Sequence, residues 1–310
     1  MNHRTYSQTF DYSLMLLATS AIWGFAFVAQ SRGGDVLGPF SFNAVRCLIG
    51  WLVLQPVIRL LDHMGYGHRP QTPTEARRLW VAGGLIGIVL FIATNSQQLG
   101  ITYGRSAGKA GFITACYLIF VPILGIFLGK KVRANVWIAV VLAMAGIYLL
   151  SVTGSLGFAW TDLLLLVSAF SFAIQILLID YFVADLDGVR MAAIQFLSCG
   201  VLSLIPMIWL ESGTSVESIR LWLAAFRDPA GWGSILYAGI LSCGVAYTLQ
   251  IVGQRHVEPT LASLMMSFES VFCLLGGFLL LSERLSLRQI LGCAIMFAAI
   301  LLAQLGGQSQ

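Results

Sequence analysis

Long apolar segments of roughly 17 to 25 residues, close to the length that crosses a bilayer as a helix, recur along this chain. Backbone amides in lipid must be satisfied within the segment, which favours helices. The sequence lacks the alternating ten-residue strands of a transmembrane barrel. We therefore expect ten transmembrane helices, near residues 14–30, 41–61, 79–100, 107–128, 134–152, 159–179, 190–210, 233–253, 260–281 and 286–305.

The composition supports a membrane protein and argues against several other classes. Hydrophobic residues make up 58% of the 310 residues and charged residues 10%, whereas soluble domains carry about 25% charged residues. The net charge is +4 and the basic residues are dispersed, so no nucleic-acid partner is expected. The six cysteines lie in apolar runs without a CxxC pair, which predicts neither disulfides nor a metal site. We expect no cofactor, and no P-loop or HExxH motif indicates an enzyme.

Basic residues near the ends of the spans predict the orientation. With a cytoplasmic N-terminus, the first half of the chain has eight Lys and Arg residues on the cytoplasmic side and three on the other. The polar N-terminal residues lack the features of a cleaved signal, so the first apolar run is expected to be a retained span. We expect a multi-pass protein of the inner membrane with both termini in the cytoplasm.

The chain contains a weak internal repeat. The segment 124–150 resembles the segment from about 277 to 302, and a shift of 153 residues places Lys130 on Glu283. Because five spans per half is an odd number, the second half would enter the membrane inverted. Inverted repeats of this kind are typical of secondary transporters. Duplication as a simple way to build a large helical bundle is the alternative.

Four stretches resemble the drug/metabolite transporter superfamily, specifically its EamA-type members. They are AIWGFAFVAQ (21–30), LGPFSFNAVR (37–46), NSQQLGITYGRSAGKAGFITACYLIFVPILGIFLGKK (95–131) and FESVFCLLGGFLLLSERLSLRQILGCAIMFAAILL (268–302). The family pattern in the last stretch often reads Glu-Pro-Val-Phe, whereas Ser270 follows the glutamate in this chain.

The resemblance implies an all-α membrane protein with ten transmembrane helices in two inverted five-helix repeats. The repeats would cover residues 14–152 and 158–306. The resemblance also implies a central cavity lined mainly by the first, third and fourth helices of each half, with the fifth helices at the periphery.

Glu269 lies near the middle of the apolar stretch SLMMSFESVFCLLGGFLLL (263–281). A charged residue at the bilayer centre costs about 2.5–3.5 kcal/mol on insertion scales, so such residues face the bundle or a wet cavity. We interpret Glu269 as a proton-coupling site or a ligand contact. The alternative is a protonated or hydrogen-bonded glutamate that holds helices together.

Arg46 and Lys109 are the possible charge partners within or beside the spans. Each lies near a predicted helix end, where a long side chain can extend to the headgroups. Arg46 could instead pair with a carboxylate or a substrate anion. For Lys109, the small residues of SAGKAG favour tight helix packing over substrate contact.

Several amide and aromatic side chains within the spans are candidates for substrate binding. Amides bind neutral polar ligands without a charge, and aromatic rings can enclose a flat ligand. Hydrogen bonding between helices and core packing are the alternatives. The candidates are Trp23, Asn95, Gln98, Tyr117, Gln175, Tyr247 and Gln250.

Together these features predict a secondary transporter that exports a small organic metabolite, such as an amino acid or related compound, by alternating access. Its partners would be the substrate, membrane lipid and, as a hypothesis, protons. A duplicated chain can form its own pathway, so we expect a monomer. The alternatives are an uncoupled facilitator, or a membrane enzyme or scaffold.

Overall fold

The computed structural model describes residues 3–104, 107–151, 159–213, 215–281 and 286–305, and these ranges are helical apart from short connections. The first half contains α1 (His3–Val36), α2 (Pro39–His63), α3 (Pro73–Gly104), α4 (Ala107–Thr114), α5 (Tyr117–Phe127) and α6 (Ala134–Ser151). The second half contains α7 (Trp160–Val183), α8 (Gly188–Pro206), α9 (Val216–Ala225), α10 (Pro229–Leu236), α11 (Tyr247–Gln254), α12 (Pro259–Met266), α13 (Glu269–Leu281) and α14 (Leu287–Leu305). The π-helical segments Met207–Glu211 and Tyr237–Ala246 extend α8 and join α10 to α11.

Eight helical segments in the described ranges are long and apolar enough to cross a membrane. They are Asp11–Gly34, Pro39–His63, Pro73–Gly104, Ala110–Phe127, Trp160–Val183, Gly188–Glu211, Gly231–Gln254 and Pro259–Gly276. Ala134–Leu150 and Leu287–Ala303, at the predicted fifth and tenth positions, are shorter apolar helices. The helical class is thus confirmed, whereas the number ten stays a prediction. Large apolar side chains such as Ile88, Val141 and Leu163 are exposed on the outer faces, as expected for contact with lipid.

The helix contacts are symmetric between the two halves. α2 packs against its counterpart α8, and α6 against its counterpart α14. The contact of α3 with α7 is matched by that of α11 and the preceding π-helical segment with α1. The contacts of α4 and α5 with α7 are matched by those of α12 and α13 with α1. This pattern is that of two halves related by a pseudo-twofold axis.

Two pairs of residues, each with one member from either half, lie close together between the halves. Cys47 of α2 and Cys199 of α8 are separated by 152 residues, and their sulfur atoms are 3.5 Å apart. Tyr117 and Glu269 are also separated by 152 residues and lie within interaction range of each other.

The fourth and ninth spans are each broken into two helices, although the sequence predicts continuous helices at 107–128 and 260–281. At the first break the Leu118 amide donates to the Ala115 carbonyl at 3.0 Å, three residues back instead of four. At the second break the Ser270 amide donates to the Ser267 carbonyl at 3.2 Å, again three residues back, and the Ser267 hydroxyl donates to the Leu264 carbonyl. A hydroxyl that donates to a backbone carbonyl in this way can bend a helix. Neither break contains a glycine or proline that would have predicted it from the sequence.

Close contact between α6 and α14 depends on two glycines. A Cβ atom on Gly292 would lie 2.7 Å from the Gly146 carbonyl oxygen, and one on Gly146 would lie 2.9 Å from the Gly292 oxygen. We expect Gly292→Ala to lower the free energy of unfolding by roughly 1–3 kcal/mol, because the two backbones must separate. Thermal unfolding in detergent measures this, with Gly84→Ala as the control, since nothing lies within 4 Å of a Cβ at Gly84. An equal effect at both positions would contradict the packing argument.

Candidate functional site

A cavity lies between the two halves, with about 510 Å³ of space that is free of protein atoms and partly open to solvent. Its lining combines aromatic, amide and hydroxyl side chains with two groups of opposite charge. The lining residues are Trp23, Phe27, Gln30, Arg46, Gln97, Thr114, Tyr117, Phe172, Gln175, Ile176, Ser242, Tyr247, Gln250, Met266 and Glu269. All except Arg46 come from the first, third and fourth spans of one half or the other.

The two broken spans meet at the cavity. Tyr117 is the first residue of α5 and Glu269 is the first residue of α13, and both are buried and line the cavity. Each lies directly after the break in its span. The Tyr117 hydroxyl forms no hydrogen bond of normal geometry, although Glu269 lies in range.

The single cation among the described lining residues is Arg46, the eighth residue of α2. Its side chain is buried, at 3% exposure, and its Nε atom has no hydrogen-bond partner. The guanidinium carbon lies 5.5 Å from the centre of the Phe42 ring. The structure thus places a buried cation and the Glu269 carboxyl group in one cavity without an ion pair between them.

Amide groups on the second-half wall retain free donors and acceptors. Gln250 Nε2 donates to Gln175 Oε1 at 3.3 Å, which leaves Gln175 Nε2 and Gln250 Oε1 without partners. Beside them the rings of Trp23 and Tyr247 meet edge to face, with centroids 4.7 Å apart. A bound molecule would therefore meet one free amide donor, one free amide acceptor and an aromatic wall.

Comparison with known proteins identifies the family. The EamA-like transporter family matches residues 12–152 and again residues 159–305. The chain belongs to the EamA-like transporter family. An Archaeoglobus fulgidus relative named as an uncharacterized transporter is 26% identical, over 95% of this chain and 85% of the relative. The inner membrane transporter YedA of Escherichia coli K12 is 26% identical, over 94% of this chain and 90% of YedA.

The fold of this EamA-like chain is also found in a solved crystal structure. The two structures superimpose with a TM-score of 0.73 at 19% sequence identity, covering 95% of this chain and 96% of the other. This likeness establishes the fold. Family membership and the membrane-length helices together make the protein a multi-pass membrane protein of a transporter family.

Six of the residues that the sequence singles out lie together in the cavity of this EamA-like protein, along with Arg46. They are Trp23, Tyr117, Gln175, Tyr247, Gln250 and Glu269. Their roles as substrate or proton contacts stay predictions. Lys109 is a further candidate from the sequence analysis, but its side chain lies outside the described part of the structure.

Asn95 and Gln98 are not among the cavity-lining residues. Asn95 accepts from Asn43 at 3.1 Å and donates to the Ser203 hydroxyl at 3.0 Å, so its amide joins neighbouring helices. Gln98 donates to the Gln30 carbonyl at 3.1 Å. These contacts favour the structural interpretation of both residues.

Sequence reasoning missed several lining residues. Gln97, in the middle of the polar stretch at 95–98, lines the cavity, and Gln30 and Thr114 line it on neighbouring spans. Gln97 lies about 100° around the helix from Gln98, so only the packing of α3 decides which amide faces inward. Gln30 and Thr114 carry no charge and belong to no motif that would distinguish them from core residues.

Contacts between the halves hold both ends of the α2–α8 pair. At the Asp62 end, Arg190 of the second half donates to both Asp62 carboxylate oxygens, at 2.6 and 2.7 Å. At the Glu211 end, Glu211 accepts from the backbone amides of Phe40 and Ser41, both at 2.7 Å. In each case a carboxylate at the end of one half's second span contacts the start of the other half's second span.

Further ion pairs between the halves strengthen the Asp62 end. Arg78 at the start of α3 pairs with Asp185 at 2.7 Å, and Lys130 after α5 pairs with Asp180 of α7. Both pairs join charged groups of opposite halves at the same end of the bundle. Charged contacts therefore join the two halves at the Asp62 end of this EamA-like protein, and these contacts must break if the halves separate there.

Proposed function

We propose that the protein is a secondary transporter that moves a small organic metabolite, such as an amino acid or related compound, by alternating access. The cavity between the halves carries this proposal, because it lies where two spans are interrupted at symmetry-equivalent positions. Discontinuous helices at the interface of repeats form the substrate sites of secondary transporters. The mixed lining of amide, aromatic and charged groups fits a small polar organic molecule.

The proposal includes direction, orientation and coupling. We propose export across an inner membrane, with both termini in the cytoplasm and with protons as the coupling ion through Glu269. The name of YedA as an inner membrane transporter supports the location, and the Lys and Arg distribution of the first half supports the orientation. We propose a monomer, since one chain supplies both walls of the cavity.

Transport assays in proteoliposomes test the function directly. Purified protein would be reconstituted with each of the twenty amino acids inside, and uptake of the same labelled compound would report exchange. Accumulation only in the presence of a proton gradient would separate a coupled transporter from an uncoupled facilitator. If nothing is exchanged and the protein instead turns over a lipid-linked compound or retains a protein partner, the enzyme or scaffold alternative holds.

Two glutamines on one helix provide a matched test of the cavity. Gln250 lines the cavity, whereas Gln254, one turn later in α11, donates to the Ile176 carbonyl at 3.1 Å. We expect Gln250→Leu to weaken substrate affinity roughly tenfold, as for a lost ligand hydrogen bond of about 1.4 kcal/mol. Gln254→Leu should lower thermal stability and leave affinity within about twofold, because it removes a contact between helices only.

Binding measured by calorimetry and unfolding measured by a temperature scan separate the two effects. A Gln250→Leu variant with normal affinity would mean that the substrate does not contact this wall. A Gln254→Leu variant that loses affinity as strongly as Gln250→Leu would show that the loss is structural.

A further inference from the structure

Arg46 has no counterion among the residues that the structure describes. It forms none of the ion pairs or hydrogen bonds found among the described residues, and its Nε atom is buried without a partner. A buried charge without a partner is strongly unfavourable, and arginine retains its proton. The groups around Arg46 therefore decide what stabilises the guanidinium.

Within the described part of the chain, no carboxylate faces Arg46. The titratable groups that face it are Cys47 on its own helix, Cys199 on α8, Cys243 on the π-helical segment and Tyr247 on α11. All four are neutral in their ordinary state. The Phe42 ring, 5.5 Å away, supplies one aromatic face, which compensates only part of the lost hydration of a cation.

Arg46 does not extend to the membrane surface. As the eighth residue of α2 it lies about 10 Å from the start of the helix. Its side chain is 3% exposed and borders the cavity between the halves. Arg46 therefore lines the space that a transported molecule would enter, and among the described lining residues it alone comes from a second span.

We propose that Arg46 is an anion subsite of the cavity and binds the carboxylate group of the transported compound. A carboxylate matches the planar guanidinium in charge and in bidentate geometry. Glu269, on a different part of the lining and not paired with Arg46, is then free to meet a cationic or hydrogen-bonding group of the same molecule. This inference rests on the proposed function, because it assigns the substrate class to that cavity.

The test compares acids with their neutral amides. Purified protein would be titrated with the twenty amino acids and with their carboxamides, and thermal stability and calorimetric affinity would be measured. A ligand that binds only the folded protein must stabilise it. In the wild-type protein, at least one amino acid should bind roughly 10- to 100-fold more tightly than its carboxamide, the range for a charged hydrogen-bonded contact.

Substitutions assign that preference to Arg46. Arg46→Gln should weaken binding of the acid roughly 10- to 100-fold and remove the difference between acid and amide. Arg46→Lys should keep the preference but weaken binding, because it retains charge and loses the bidentate fork. Arg288→Gln is the control, since Arg288 is an exposed cation 5.3 Å from the Tyr148 ring and outside the cavity. It should leave both affinities unchanged.

Each remaining result counts against the subsite. Equal binding of acid and amide, a preference that survives in Arg46→Gln, or the absence of any bound amino acid would overturn it. If Arg46→Gln does not fold, an Arg46→Lys variant with unchanged affinity would overturn it as well. Exchange of uncharged compounds that depends on Gln250 would leave the transporter proposal standing without the anion subsite. Binding of acids without any transport would instead support the anion subsite and contradict the transporter proposal.

Discussion

Glu269→Gln is expected to abolish accumulation of substrate driven by a proton gradient while leaving exchange of substrate intact. Glu269 is 7% exposed and is the single carboxyl group among the described residues that line the cavity. It lies at the start of α13, directly after the break in the ninth span. A carboxyl group in that place can take up a proton in one state of the cavity and release it in the other.

The size of the effect follows from the gradient. One pH unit is worth about 1.4 kcal/mol per proton, which corresponds to a concentration ratio of about tenfold for one proton per substrate. Wild-type proteoliposomes should therefore reach a substrate ratio near ten under a gradient of one unit, and Glu269→Gln vesicles a ratio near one. Exchange at equal pH on both sides should continue in the variant, because glutamine resembles the protonated acid.

Controls separate coupling from general damage. Glu217→Gln removes an exposed carboxylate on α9 and should accumulate substrate like the wild type. Tyr117→Phe should retain accumulation and alter its pH dependence, because the phenol lies in range of Glu269. Full accumulation by Glu269→Gln would rule out coupling through this residue. A wild-type protein that shows no response to the gradient would support the uncoupled facilitator.

The sequence alone identifies Glu269 as an unusual residue, but it does not predict where Glu269 lies in the fold. A carboxylate in an apolar run is visible without a structure, because its burial is costly. The break before it depends on a serine hydroxyl and a shifted backbone hydrogen bond, which leave no strong signal in the sequence. The pairing of Glu269 with Tyr117 across the axis requires the two halves to be assembled.

Charged residues other than Glu269 are harder to interpret from the sequence alone. Asp62 and Arg190 are 128 residues apart and each lies at a helix end, so the sequence alone treats them as ordinary interfacial charges. Arg46 was expected either to extend to the headgroups or to bind an anion, and only the packing of α2 buries it. Helix pattern thus predicts which segments cross the membrane, whereas contacts between halves depend on geometry that the pattern does not contain.

Asp62→Asn and Glu211→Gln are expected to open the cavity toward opposite sides of the membrane. Each substitution weakens a contact between the second spans of the two halves, the first at one end of the α2–α8 pair and the second at the other. Because these contacts join opposite halves, they stabilise only the states in which that end is closed. Removing one shifts the population toward the state that is open at that end.

A single cysteine in the cavity reports the direction of opening. Gln175→Cys, in a chain whose six native cysteines are replaced by alanine, would be labelled with a membrane-impermeant maleimide in vesicles of either orientation. Asp62→Asn should raise the labelling rate from the Asp62 side roughly tenfold, as expected for the loss of a charge-assisted hydrogen bond between the two halves. Glu211→Gln should raise labelling from the other side by a similar factor.

Arg69→Gln is the matched control for the Asp62 end. Arg69 also pairs with Asp62, at 2.9 Å, but both residues belong to the first half, so their contact does not oppose separation of the halves. It should leave the labelling rates unchanged. If both single substitutions raise labelling from the same side, the contacts act on overall stability. Opposite effects would instead assign the two ends of α2 and α8 to the two gates of one alternating-access cycle.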